Sequence, residues 1–151
     1  MLLGDERDGS TNINLAAMGE GVSQILPIVA KTLFGANDDC LLVEQPEIHL
    51  HPALQAELGD LFIDVTQAGN RQILVETHSE HLLLRVRRRI AEGTLKPEQV
   101  AILFVEKHGG ESRVRRLDLN TRGHFSDWPN GFFDDAYQEA MALATAAARK
   151  G

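Results

Sequence analysis

Apolar residues recur along the chain with two different periods, and each change of period marks an element. Across residues 22–34, Ile25, Ile28, Val29 and Leu33 repeat at helical spacing, and Gly35 with Asn37 beyond it supplies a stop. Residues 40–43 are a short continuous apolar run after the Asn37-Asp38-Asp39 turn, the pattern of a strand buried on both faces of a parallel sheet. Pro52 suits the first turn of a helix, and Leu54, Leu58, Leu61, Phe62 and Val65 then form one stripe that ends near Gly69. Residues 72–76 predict a second strand, and Ser79 stands before Glu80 and Leu82 as the N-cap of a third helix. Residues 100–106 read as a strand, His108-Gly109-Gly110-Glu111 as a turn, and 112–119 as the partner strand, with Val114, Leu117 and Leu119 inward. A loop over 120–131 then leads into a closing helix from about Phe132, and the Ala-rich end at 140–148 suits it.

This order predicts an α/β fold: a mostly parallel sheet with flanking helices, plus a β-hairpin and a C-terminal helix. Parallel strands deliver polar residues to their carboxyl edge, and Glu44 and His78 both fall there. The main lobe is expected to cover residues 1–107, with 108–151 as the hairpin and helix extension of the same compact unit.

Composition adds limits. The 151 residues are 43% hydrophobic and 25% charged, enough to bury a core, and no run of eighteen apolar residues occurs. The first ten residues are acidic rather than a positive leader, so the expectation is a cytoplasmic protein. The single Cys40, among Leu41, Leu42 and Val43, reads as a buried strand residue. The formal charge of -7 argues against a general nucleic-acid coat, yet it is uneven. Residues 1–80 hold three Lys/Arg against thirteen Asp/Glu, whereas 81–122 hold ten against five. Arg85, Arg87, Arg88 and Arg89 therefore form either a phosphate-binding face or a solvated helix face.

Candidate chemistry centres on Leu41-Leu42-Val43-Glu44-Gln45-Pro46-Glu47, because a carboxylate leaving a buried strand is a usual way to hold magnesium beside nucleotide phosphates. The segment continues into His49-Leu50-His51-Pro52. It resembles the Walker B strand of ABC-class ATPases, in the branch of SMC-like, RecF-like and OLD-type proteins. Two further segments resemble that family in the same order. Gly19-Glu20-Gly21-Val22-Ser23-Gln24 is similar to the signature motif, and Thr77-His78-Ser79 to the switch-histidine loop. Glycines at a helix start expose N–H groups to a phosphate, and an imidazole donates without fixed charge.

The resemblance implies ATP and Mg2+ as cofactors, with Glu44 at the magnesium and His78 sensing the γ-phosphate. It also implies a sandwich dimer in which Gly19, Glu20, Gly21 and Ser23 act in trans. Three departures qualify it. Gly19 stands where the family usually has the phosphate-contacting serine, and Ser23 lies near but out of register. The family places a catalytic glutamate directly after the magnesium-site acid, where this chain has Gln45; Gln45 orients a water, or Glu47 serves as the base. No Gly-x-x-x-x-Gly-Lys-Ser/Thr occurs, so a missing N-terminal half or a separate P-loop-bearing chain is expected, with residues 1–11 as the point of truncation or gene splitting. Residues 1–107 then correspond to the C-terminal lobe of the ATPase domain. Trp128-Pro129-Asn130-Gly131-Phe132-Phe133-Asp134 resembles the ending of some AAA-type ATPases of unknown or anti-phage role.

Two other classes remain open. One is a catalytically inactive module of the same fold that binds nucleic acid or protein through the arginine segment. The other is a metal-dependent hydrolase built on His49, His51, His78 and His81 near Glu44 and Glu47.

Overall fold

The computed structural model describes residues 2–4, 12–14, 20–36, 39–69 and 71–127. Its elements run β1 (Leu2–Gly4), β2 (Asn12–Asn14), α1 (Glu20–Phe34), β3 (Cys40–Glu44), α2 (Pro52–Ala68), β4 (Gln72–Glu76), α3 (Glu80–Ala91), a 3-10 turn (Pro97–Gln99), β5 (Ile102–His108) and β6 (Glu111–Leu117). The chain divides into two compact units, Met1–Val86 and Arg87–Gly151.

The fold is α/β, with three two-stranded sheets among the described residues: β1 with β2 antiparallel, β3 with β4 parallel, and β5 with β6 antiparallel. Residue 19 and the segment from 128 onward, with the expected closing helix and the Trp128 to Asp134 motif, lie outside the described residues. Among the described residues, no helix is long and apolar enough to cross a membrane.

In the first unit the helices start and stop where local chemistry directs. His51 caps α2, its Nδ1 accepting the Ala53 N–H at 3.3 Å, and Pro52 takes the first turn, where a missing N–H costs nothing. Ser79 caps α3, its Oγ accepting the Leu82 N–H at 3.0 Å. At the end of α1, Arg71 reaches back from the segment before β4. Its Nη1 donates to the Thr32 carbonyl and its Nε to the Ala36 carbonyl, both at 2.6 Å. A cation at a helix C-terminus satisfies orphan carbonyls and complements the dipole. Gly35 leaves room for it, since a Cβ there would meet Arg71 Nη2 at 2.2 Å and the Lys31 carbonyl at 2.7 Å.

The core of this unit is Val43, Leu58, Phe62 and Leu82, with Ile25, Ile28, Leu41, Ile73 and Val75 packed against it. Only one face of the β3–β4 pair takes part. Leu42 and Leu74 are partners in register on the other face and are 68% and 56% exposed. The expected burial on both faces is thus corrected, and Cys40, on the open face, is exposed. The physical reason is that an apolar run fixes a strand's hydrophobicity but not how many layers cover it.

In the second unit, Gly109 and Gly110 both adopt positive φ, 55° and 91°, as a two-residue hairpin turn requires. Leu117 is buried as expected, but Val114 pairs with Val105 on a face where they are 64% and 62% exposed. Alternation explains the correction: Val114 lies an odd number of residues from Leu117 and so points to the opposite face. Gly123, at φ 70°, lies against α3, where a Cβ would meet the Arg87 carbonyl at 2.3 Å.

Arg71→Ala should lower the unfolding free energy by about 1–2 kcal/mol in urea titration, with Arg71→Lys recovering less than half. Glu92 offers a pH test. Hydrogen bonds from Arg88 and then Arg89 hold its carboxyl below the ordinary range. Its stabilisation is therefore present above the unfolded glutamate value of about 4.3 and lost as pH falls through the lower folded value. The difference in thermal midpoint between the parent and Glu92→Gln should accordingly be largest near neutrality and vanish in acid.

Candidate functional site

The carboxyl ends of β3 and β4 lie side by side. Glu44 and Glu76 are register partners at the last position of each strand, and both are exposed. Gln45 follows, its N–H donating to the Glu76 carbonyl at 2.8 Å, and its φ of 43° turns the chain sharply away from the sheet. A tight turn then runs through Pro46 to His49, with the Ile48 N–H on the Gln45 carbonyl and the Leu50 N–H on the Glu47 carbonyl. His49 closes it in a second left-handed conformation, φ 62°. Two side-chain-bearing residues at positive φ within five positions mark a backbone held in place by its surroundings.

Two contacts hold this turn. Gly21, in the first turn of α1, lies so close that a Cβ would come within 2.5 Å of the His49 carbonyl. On the other side Glu47 is 9% exposed, and its Oε1 accepts the backbone N–H of His78 at 2.6 Å. Glu47 Oε2 is buried and has no hydrogen-bond partner among the described residues. The structure therefore gathers three of the segments singled out in the sequence: the start of α1, the turn after β3 and the loop after β4.

The individual residues fare differently. Glu44 and His78 are exposed at this end, and Gln45 is half-buried. Ser23 is exposed on α1, and Glu20 is its first residue. Gly19 lies outside the described residues. Two site residues were missed from sequence. Glu76 ends its strand as Glu44 does, and the same strand-end argument finds it. Gln55 on α2 bridges the turn and the loop, its Nε2 donating to the Leu50 carbonyl at 3.0 Å and its Oε1 accepting the Ser79 hydroxyl at 2.6 Å; nothing in a single sequence marks it.

The rival readings meet specific geometry. Among the described residues, no group of three or more His, Cys, Asp or Glu is placed to hold a metal ion, and His51 has its Nδ1 engaged in capping. The arginine segment is engaged internally. Arg85 pairs with Asp60, Arg88 and Arg89 pair with Glu92, and Arg87 donates to the Gly123 carbonyl and lies over the Phe125 ring.

Residues 2–85 match the AbiEii toxin-like AAA domain family, Type IV TA system. That match spans more than half of the chain, and the chain belongs to this AAA family. It is thereby part of an ATPase-type, nucleotide-binding family whose members use ATP and Mg2+. Residues 95–143 match a second family, a protein of unknown function, DUF3696. No curated protein matches the chain.

Gly21→Ala tests the packing directly. The added methyl meets a backbone carbonyl rather than a movable side chain, so crowding should outweigh the roughly 1 kcal/mol that alanine brings to a helix. The expected net loss is about 1–2 kcal/mol of unfolding free energy by chemical denaturation, and an unchanged midpoint would contradict the close approach.

Proposed function

We propose that this chain supplies the magnesium-side lobe of an ABC-class ATPase site of the SMC-like, RecF-like and OLD-type branch. The observation that carries the reading is the Glu44 strand end beside a turn braced to the His78 loop. Glu44 binds the magnesium ion and His78 faces the γ-phosphate. The Gly19 to Ser23 segment acts in trans on nucleotide held by a second subunit, giving a sandwich dimer. Magnesium, when bound, neutralises charge on the phosphates.

The P-loop comes from another part of the protein or a separate chain, since none lies in these 151 residues. The open apolar face at Leu42 and Leu74 supports a lobe completed by further parallel strands and helices, because parallel sheets are covered on both faces. Of the two residues expected to serve the water, Gln45 takes that part. Glu47 braces instead, which its burial and its bond to the His78 amide support. An amide orients water but cannot accept its proton, so hydrolysis is slow. The process we propose for it is DNA repair or phage defence.

The test is hydrolysis of Mg2+-ATP by the purified chain, alone and with a candidate P-loop polypeptide. Turnover is expected only with the partner, and Glu44→Ala and His78→Ala should each abolish it. Gln45→Glu should raise the turnover at least about tenfold by supplying a base. Turnover that survives Glu44→Ala, or that Gln45→Glu lowers, would count against this assignment.

A further inference from the structure

The turn after β3 carries Gln45 and Glu47, the loop after β4 carries His78, and little backbone hydrogen bonding joins them. Beyond the Gln45 N–H on the Glu76 carbonyl, the links run through side chains. Gln55 spans the gap from the first turns of α2. Its Nε2 donates to the Leu50 carbonyl at 3.0 Å and reaches the Glu47 carbonyl at 3.5 Å. Its Oε1 accepts the Ser79 hydroxyl at 2.6 Å, and Ser79 Oγ in turn accepts the Leu82 N–H. One amide thus donates to the turn and accepts from the loop.

An amide of this length meets both demands. A carboxylate would set negative charge against two backbone carbonyls, and an apolar side chain would leave the Leu50 carbonyl without this donor and the Ser79 hydroxyl proton without its acceptor. The carbonyls also fix which way the amide points, because its oxygen is excluded from their side.

We infer that Gln55 is a positioning residue: it locks the turn after β3 to the Ser79 cap and so holds Glu47 against the His78 amide. It touches no reacting group. Its effect on turnover rests on the proposed ATPase reading, while its effect on the His78 loop does not.

Gln55→Met keeps the volume and removes both hydrogen-bonding ends. Two readouts separate the questions. The first is amide hydrogen exchange by NMR on the 16.7 kDa chain. The His78 amide should exchange at least about tenfold faster in Gln55→Met, with the core amide of Phe62 within about twofold of the parent. A double-mutant cycle with Ser79→Ala should be non-additive at His78, because both substitutions break the same link. The second readout is ATP turnover with the P-loop polypeptide, where kcat should fall at least about fivefold with KM within about twofold.

Unchanged His78 exchange, or additive substitutions, would overturn the positioning role. So would faster exchange with kcat intact in a system whose parent hydrolyses ATP. If the parent shows no turnover, the ATPase reading fails by itself and the exchange experiment alone decides the role of Gln55.

Discussion

A carboxylate shielded from water needs a donor, and Glu47 finds one in the backbone N–H of His78. This bond joins residues thirty-one positions apart and ties the turn after β3 to the loop after β4. A buried acceptor left without its donor costs about 1–3 kcal/mol, more when charged, so neither partner is free to drift. Much of the candidate site follows from that constraint. Pairing of Glu44 with Glu76 fixes where the two strands end, and Gln45 must then turn at once, at φ 43°, to bring Glu47 back beneath the loop. His49 completes the turn at φ 62°. Left-handed backbone at non-glycine residues persists where surrounding bonds over-determine it, and the Gln45, Glu47 and Leu50 backbone bonds do so here.

Gln55 and Gly21 hold the same turn from two further sides. The glutamine supplies hydrogen bonds from α2, and the glycine supplies closeness from α1. In the sequence Gly21 reads as a residue that opens backbone N–H groups to a phosphate. The structure gives it a second reason, since no side chain fits between the start of α1 and the His49 carbonyl. The two reasons are compatible, because absence of a Cβ on one side of the backbone leaves the N–H direction unaltered.

What was legible in the sequence was whatever depends on neighbours in the chain. The period of Ile25, Ile28 and Val29 located α1, Pro52 located the start of α2, Ser79 capped α3, and the Gly109-Gly110 pair set the hairpin turn. The strand-end position of Glu44 was legible for the same reason. What could not be read depends on partners far along the chain or on the number of layers. Glu47 read as a candidate base, because nothing local says that His78 comes to meet it. Gln55 looked like an ordinary helix residue. Leu42 and Cys40 looked buried because their run is apolar, and Val114 looked inward although its parity against Leu117 argued otherwise; parity was available in the sequence and outweighs hydrophobicity there.

Charge sets the remaining constraint. Two carboxylates stand in register at the strand ends, and like charges directly opposed destabilise a sheet. They lie in a stretch where thirteen acids face three bases across residues 1–80, and the basic residues of 81–92 are spent on Asp60, Glu92 and the Gly123 carbonyl. A polyphosphate approaching this end meets repulsion at separations shorter than the screening length of about 8 Å at physiological salt. Under the proposed ATPase reading, positive charge must therefore gather at this end before a nucleotide settles there. In that reading a divalent cation supplies part of it, and a lysine-bearing phosphate loop the rest. Electrostatics thus adds a reason for the proposed P-loop beyond the absent motif, since an acidic half-site binds an anion only when complementary cations complete it.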